Sequence, residues 1–147
     1  VHPPLQPVLG ASGRLAADLH DAYVGAGSRP LLSKLERPAM IYELRVYTAT
    51  PGRLPEIVKR FETITLKIWE KHGIRQAGFW TTLVGPSSHD LTYLLAWESL
   101  ADRETKWTAF STDPEWLTAR AETEKNGPIV ANIASSFLQP TAFSSVK

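Results

Sequence analysis

MIYELRVYTATPG, residues 40 to 52, is the stretch that decides the fold. Its side chains alternate. Tyr42, Leu44 and Val46 fall on one face of a strand, and Ile41, Glu43, Arg45 and Tyr47 on the other. Both faces carry bulky groups, so both need cover from a neighbouring layer. Pro51-Gly52 then signals a turn.

Downstream the period changes. Leu54, Ile57, Val58, Phe61, Ile64, Ile68 and Trp69 recur at helical spacing, predicting an amphipathic helix over 54–72. Gly73 suits the position just past its end, because glycine tolerates left-handed geometry. A second strand is expected over Ile74 to Val84 and a polar turn over Gly85 to Asp90. A third strand follows from Leu91 to Glu98, giving a hairpin with a long loop. Ser99 with Asp102 three residues on resembles a capping box and opens a helix over about Leu100 to Phe110. Asp113-Pro114 opens a second piece, with Asp as the cap and Pro in the first turn, which stops near Asn126-Gly127-Pro128. Ile129 to Leu138 is the last strand. The predicted class is α+β, in the ferredoxin-like order βαββαβ.

Upstream of Met40 the character differs. Residues 1–39 are rich in Pro and Gly, and only Arg14 to Tyr23 is periodic, too short for a stable isolated helix. Two expectations stand for this stretch: a flexible extension, or a segment outside the native product. The second rests on Met40, the single methionine of the chain, standing directly before the first strand. The domain proper is read as residues 40–147.

Charge and composition narrow the functional classes. Net charge is +1 with scattered basic residues, which lacks the footprint of a nucleic-acid binder. There is no cysteine among the 147 residues, so disulfides, thiol catalysis and thiolate metal sites are excluded. No apolar run is long enough to span a membrane, and no secretory pattern is present, so a cytoplasmic protein without membrane partners is expected. No His or carboxylate pair has metal-ligand spacing and no Gly-rich loop could cradle phosphate. No metal and no cofactor are therefore predicted. Ser87-Ser88-His89-Asp90 contains the letters of a hydrolase triad, but neighbours in one turn cannot adopt its geometry.

Several motifs now occur in order: MIYELRVYTATPG, FE and KHGI in the first helix, GFWTT, YLLAWESLADRETKWTAF, DPEW and NGP. Together they resemble the NIPSNAP family, over Met40 to about Phe143. That resemblance implies a dimeric α/β barrel, in which the sheets of two subunits pack face to face with helices outside. It implies a homodimer. It does not give function, since that superfamily holds oxygenases, haem-degrading enzymes, isomerases and proteins of unknown role.

Glu43, Arg45 and Tyr47 form the richest constellation, because residues two apart on a strand point the same way. Buried charges must pair or bind something. Arg45 is thus a candidate to hold an anionic or carbonyl group, with Glu43 orienting it or acting as a base. The alternative is an ion pair that only fixes the strand. Tryptophans are mostly core or interface residues, and Trp69 and Trp97 are assigned there. Trp107 falls where the haem-degrading relatives of the superfamily place a pocket tryptophan, and Arg45 where they place an asparagine. Their haem-ligating histidine has no counterpart here, where Trp116 and Leu117 stand, so the resemblance does not extend to haem degradation by that arrangement. His72 ends the first helix, where a cation suits the helix dipole; the sharper reading is a proton shuttle at a pocket mouth. Arg120 belongs to a solvated face or closes over a pocket beside Trp107.

Two functions are carried forward. The first is binding of a small organic molecule between sheet and helices, with Glu43, Arg45, Tyr47, Trp80, Tyr93, Trp107, Arg120 and His72 as candidate pocket residues; it extends to a cofactor-independent oxygenase-like enzyme. The second is a non-catalytic homodimeric interaction module.

Overall fold

The structure, a computed structural model, describes residues 40–146. Expectations placed on residues 1–39 lie outside the described residues. The elements are β1 (Ile41–Ala49), α1 (Leu54–Arg60), a π-helical turn (Phe61–Thr65), α2 (Leu66–Lys71), β2 (Arg75–Thr81), β3 (Asp90–Trp97), α3 (Leu100–Ser111), α4 (Pro114–Thr123) and β4 (Val130–Leu138). This is the α+β, ferredoxin-like order. The strands form one antiparallel sheet in the order β2-β3-β1-β4.

Register explains why β1 carries the site. Arg45 pairs with Tyr93 of β3 on one side and Ser135 of β4 on the other. Side chains in register share a face. Glu43, Arg45, Tyr47, Leu91, Tyr93, Leu95 and Trp97 are therefore on one face, and all are buried. The helices pack there: Tyr47 meets Phe61, Trp69 meets Tyr93, and Phe110 meets both Trp69 and Trp116. The opposite face carries Leu44, Val46, Thr92 and Leu94, half-buried, and the exposed Trp80.

Capping follows the sequence closely. Ser99 Oγ accepts from the Asp102 amide at 3.0 Å, and Asp102 reaches back to the Glu98 amide. The Asp113 carboxylate caps α4 by accepting from the Glu115 amide at 2.8 Å. Gly73 has φ of +68° past the end of α2, a conformation that costs a side-chain-bearing residue.

Two details depart from the pattern read in the sequence. The second strand stops at Thr81 rather than Val84, and Leu83 and Val84 stand almost wholly exposed in the loop before β3. Their apolar character imitated a strand end, but they have no facing partner in the ladder. The first helix also contains a π-helical turn. Val58 points outward, while Arg60 and Thr65 are buried beside Ile57, Phe61, Ile68 and Trp69. Four residues of a regular α-helix overshoot a full turn by roughly 40°. The wider turn offsets that drift and lets Phe61, Thr65 and Trp69 face the same cavity.

Candidate functional site

A cavity of about 200 Å³ lies between the sheet and the helices. Arg45 and Tyr47 of β1 with Val130 and Ile133 of β4 form the sheet side. Phe61 and Thr65 of the π turn, with Arg60 just before it and Trp69 after it, form one wall. Trp107, Phe110 and Ser111 of α3 form a second. Trp116, Arg120 and Glu124 close it from α4 and its end.

Arg45 is fixed from behind. Its Nη1 donates to Glu43 Oε1 at 2.7 Å and its Nε to the Tyr93 hydroxyl at 2.9 Å. Its guanidinium lies 4.5 Å from the Trp107 ring centroid, a cation–π contact. Glu43 is fully buried and surrounded by donors. Ser135 Oγ donates to Oε1 at 2.8 Å, and the Trp97 indole donates to Oε2 at 3.1 Å. Arg103 adds two bonds at 3.2 Å, one to each oxygen. Burial raises the Glu43 pKa, but hydrogen bonds from Arg103, Arg45 and Ser135 outweigh it and leave the value lowered. Glu43 therefore stays ionised with its lone pairs engaged. It does not line the cavity, and both its oxygens are engaged by donors. Burial works against the Arg45 cation, but Tyr93, Tyr47 and Glu43 more than offset it and the pKa is raised. Tyr93 itself is pushed well above the ordinary phenol value, chiefly by burial, so its hydroxyl keeps its proton.

Arg60 is the residue that sequence reading missed. It is 4% exposed. Its Nη1 donates to Glu124 Oε1 at 3.1 Å and to Thr123 Oγ1 at 3.4 Å, and its guanidinium lies 5.4 Å from the Trp116 ring. Among the described residues its Nε has no partner, and neither has the buried Trp69 Nε1. Both residues line the cavity. The available signal was a basic residue within an apolar stripe, three residues after Ile57 and four before Ile64. Arg103 had a similar signal, one turn before Trp107 on α3; it lies 5.0 Å from that ring.

The remaining candidates are distributed as follows. Arg45, Tyr47, Trp107 and Arg120 meet at the cavity, with Tyr93 beneath Arg45. Arg120 donates from Nε to Glu124 Oε2 at 3.3 Å, so one carboxylate bridges Arg60 and Arg120. Trp80 is on the opposite face of the sheet, 52% exposed. A period of two puts it out of phase with its neighbour Phe79, which stacks on Tyr93 at 4.7 Å. His72 is also elsewhere: its Nε2 lies 2.7 Å from Asp113 Oδ2, joining the end of α2 to the start of α4. Bonds from Lys71 and His72 hold the Asp113 carboxyl well below its ordinary range. Among the described residues no group of three or more His, Asp or Glu is placed to hold a metal ion. No described helix is long and apolar enough to cross a membrane.

A sequence profile of the NIPSNAP family matches residues 42–145. The chain belongs to the NIPSNAP family. Solved structures agree. An uncharacterised NIPSNAP-like domain protein from Burkholderia xenovorans is 26% identical, with a TM-score of 0.65 over 73% of this chain and 90% of that one. A second NIPSNAP domain protein from the same organism is 25% identical, with a TM-score of 0.62 over 71% and 97%. A NIPSNAP family protein of unknown function from Agrobacterium tumefaciens shares the fold at 23% identity, with a TM-score of 0.67 over 76% and 97%. No curated protein matches the chain. For this NIPSNAP domain, function has to be argued from the cavity itself.

Proposed function

We propose that this NIPSNAP domain binds a small organic molecule in the cavity between its sheet and helices. The observation that carries the reading is the pair of buried donors, Arg60 Nε and Trp69 Nε1, left without partners on residues that line the cavity. An unmade buried hydrogen bond costs about 1–3 kcal/mol, which a bound acceptor recovers. The volume of about 200 Å³ lies below the range of roughly 300–1,000 Å³ for drug-sized ligands, so the occupant is smaller than those. Arg45, braced by Glu43 and Tyr93, presents a preorganised cation to it. Oxygenase-type chemistry without a cofactor needs a base at the substrate, and the ionised Glu43 is already saturated with donors; this favours binding over base catalysis.

Native mass spectrometry of the purified full chain tests the reading. The expected result is an added small-molecule mass on the wild type that the Arg45→Ala variant lacks. Equal adducts on both proteins, or none on either, overturn it.

We also propose that the protein is a homodimer that joins through the face of the sheet that no described helix covers. Leu44, Val46 and Leu94 on that face, with Trp80 exposed beside them, support this. A sheet with apolar groups on both faces needs two covering layers, and the four described helices supply one.

A further inference from the structure

The cavity carries three guanidiniums, on Arg45, Arg60 and Arg120, against one carboxylate, on Glu124. Such an excess of positive charge in a confined site recruits an anion. The walls are largely flat rings, Tyr47, Phe61, Trp107, Phe110 and Trp116, with hydroxyls on Tyr47, Thr65 and Ser111. An occupant must therefore combine one anionic end with a compact planar body. We infer that it is a small monocarboxylic acid built on a single ring, whose carboxylate is taken by Arg60 in place of Glu124. This inference rests on the cavity being a binding site, as proposed above.

Arg60 is the anion anchor for a geometric reason. Arg45 spends Nε and Nη1 on Tyr93 and Glu43, and Arg120 has an exposed side chain. Arg60 is buried, has a free Nε, and is only partly neutralised by Glu124 at 3.1 Å. Guanidinium favours a two-pronged bond to carboxylate through Nε and one Nη. Glu124 makes a single bond to Arg60 Nη1 and leaves that fork half used. It also stands at the C-terminal cap of α4 with 22% side-chain exposure, a position from which it can turn to solvent. Glu124 thus acts as an internal surrogate, holding Arg60 until a better-shaped carboxylate replaces it. Trp69, whose Nε1 is buried without a partner among the described residues, also lines this cavity.

The test is calorimetric titration of the full chain with benzoate and with benzamide, its neutral isostere. Charge-assisted bonds are stronger than neutral ones, so benzoate is expected to bind about tenfold or more tightly than benzamide. The Arg60→Gln variant should lose that discrimination. The Glu124→Gln variant should bind benzoate about three- to fivefold more tightly, with benzamide unchanged, because the internal competitor is gone; this variant keeps Arg60 should Arg60→Gln fold poorly. Equal binding of the two probes overturns the acid class while leaving the cavity reading intact. Absence of benzoate binding at millimolar concentration also overturns the acid class, and the adduct experiment above then judges the cavity by itself. Unchanged benzoate affinity in Glu124→Gln removes the surrogate role.

Discussion

Arg45 Nη1 lies 2.7 Å from Glu43 Oε1, two residues away on the same strand, with side chains 9% and 0% exposed. The pair is not isolated. Arg103 crosses from α3 to both oxygens of the same carboxylate, so one anion holds two cations from two layers of the fold.

Removal of that anion should be severe. Glu43→Ala leaves Arg45 and Arg103 without their shared counter-charge, and breaking a buried pair costs about 3–5 kcal/mol. Urea unfolding followed by tryptophan emission measures it. A loss below about 1 kcal/mol would show that the cluster contributes little to stability.

The same carboxylate sets an acid limit. Its pKa is lowered in the folded chain from an ordinary 4.5. The unfolded chain then binds the proton more readily, so the stability Glu43 provides is complete above about pH 4.5 and is lost as pH falls through the folded value. Asp113 acts in the same direction from an ordinary 3.8. Unfolding free energy is expected to be level near neutrality and to drop on acidification below about pH 4.5. The drop should be shallower in Glu43→Gln than in wild type; equal slopes in the two proteins would assign the acid sensitivity elsewhere.

Much of this was legible in the sequence because alternation, caps and turns are local signals. The MIYELRVYT alternation placed Glu43, Arg45 and Tyr47 on one face, and Ser99, Asp113 and Gly73 marked helix ends correctly. Trp80 was harder. A period of two says which residues share a face but not which face meets the helices, and its neighbour Phe79 took the inner position. Arg60 and Thr65 were hidden for a different reason. Both keep helical spacing with Ile57, Phe61 and Trp69, but a basic and a hydroxyl side chain do not register in a stripe read from apolar residues, which took in the outward-facing Val58 instead.

Gly73 offers a clean backbone test. Its φ of +68° lies where a Cβ is strained, and space is not the obstacle, since the nearest atom to an added Cβ is Lys106 Cε at 3.5 Å. Gly73→Ala should therefore lower stability by about 1–2 kcal/mol through conformation alone. A thermal unfolding curve unchanged from wild type would contradict this account of the α2 terminus.

Trp80 tests the proposed dimer. Sedimentation at micromolar concentration should give twice the chain mass for wild type and the single-chain mass for Trp80→Glu, since a charge placed on an apolar face is not buried without a partner. A monomeric wild type refutes the dimer. A Trp80→Glu variant that still sediments as a dimer moves the interface away from this face.

Arg60 separates a structural from a binding role by the sign of one measurement. If its guanidinium were there for stability, any replacement should weaken the fold. Among the described residues its Nε is unpartnered and its counter-ion Glu124 is partly exposed, so the buried charge is poorly compensated within the fold. Methionine has similar length and no charge to desolvate. Arg60→Met is thus expected to unfold within about 1 kcal/mol of wild type, or to be more stable, because well-packed apolar groups often replace buried ions without loss. Glu124→Ala, which keeps Arg60 and removes its partner, should instead cost about 1–3 kcal/mol. Denaturant unfolding of both variants in the absence of added ligand decides the matter. Arg60→Met falling by 3 kcal/mol or more would make Arg60 a structural ion-pair residue, and the charge that its burial places in the cavity would need no ligand to explain it.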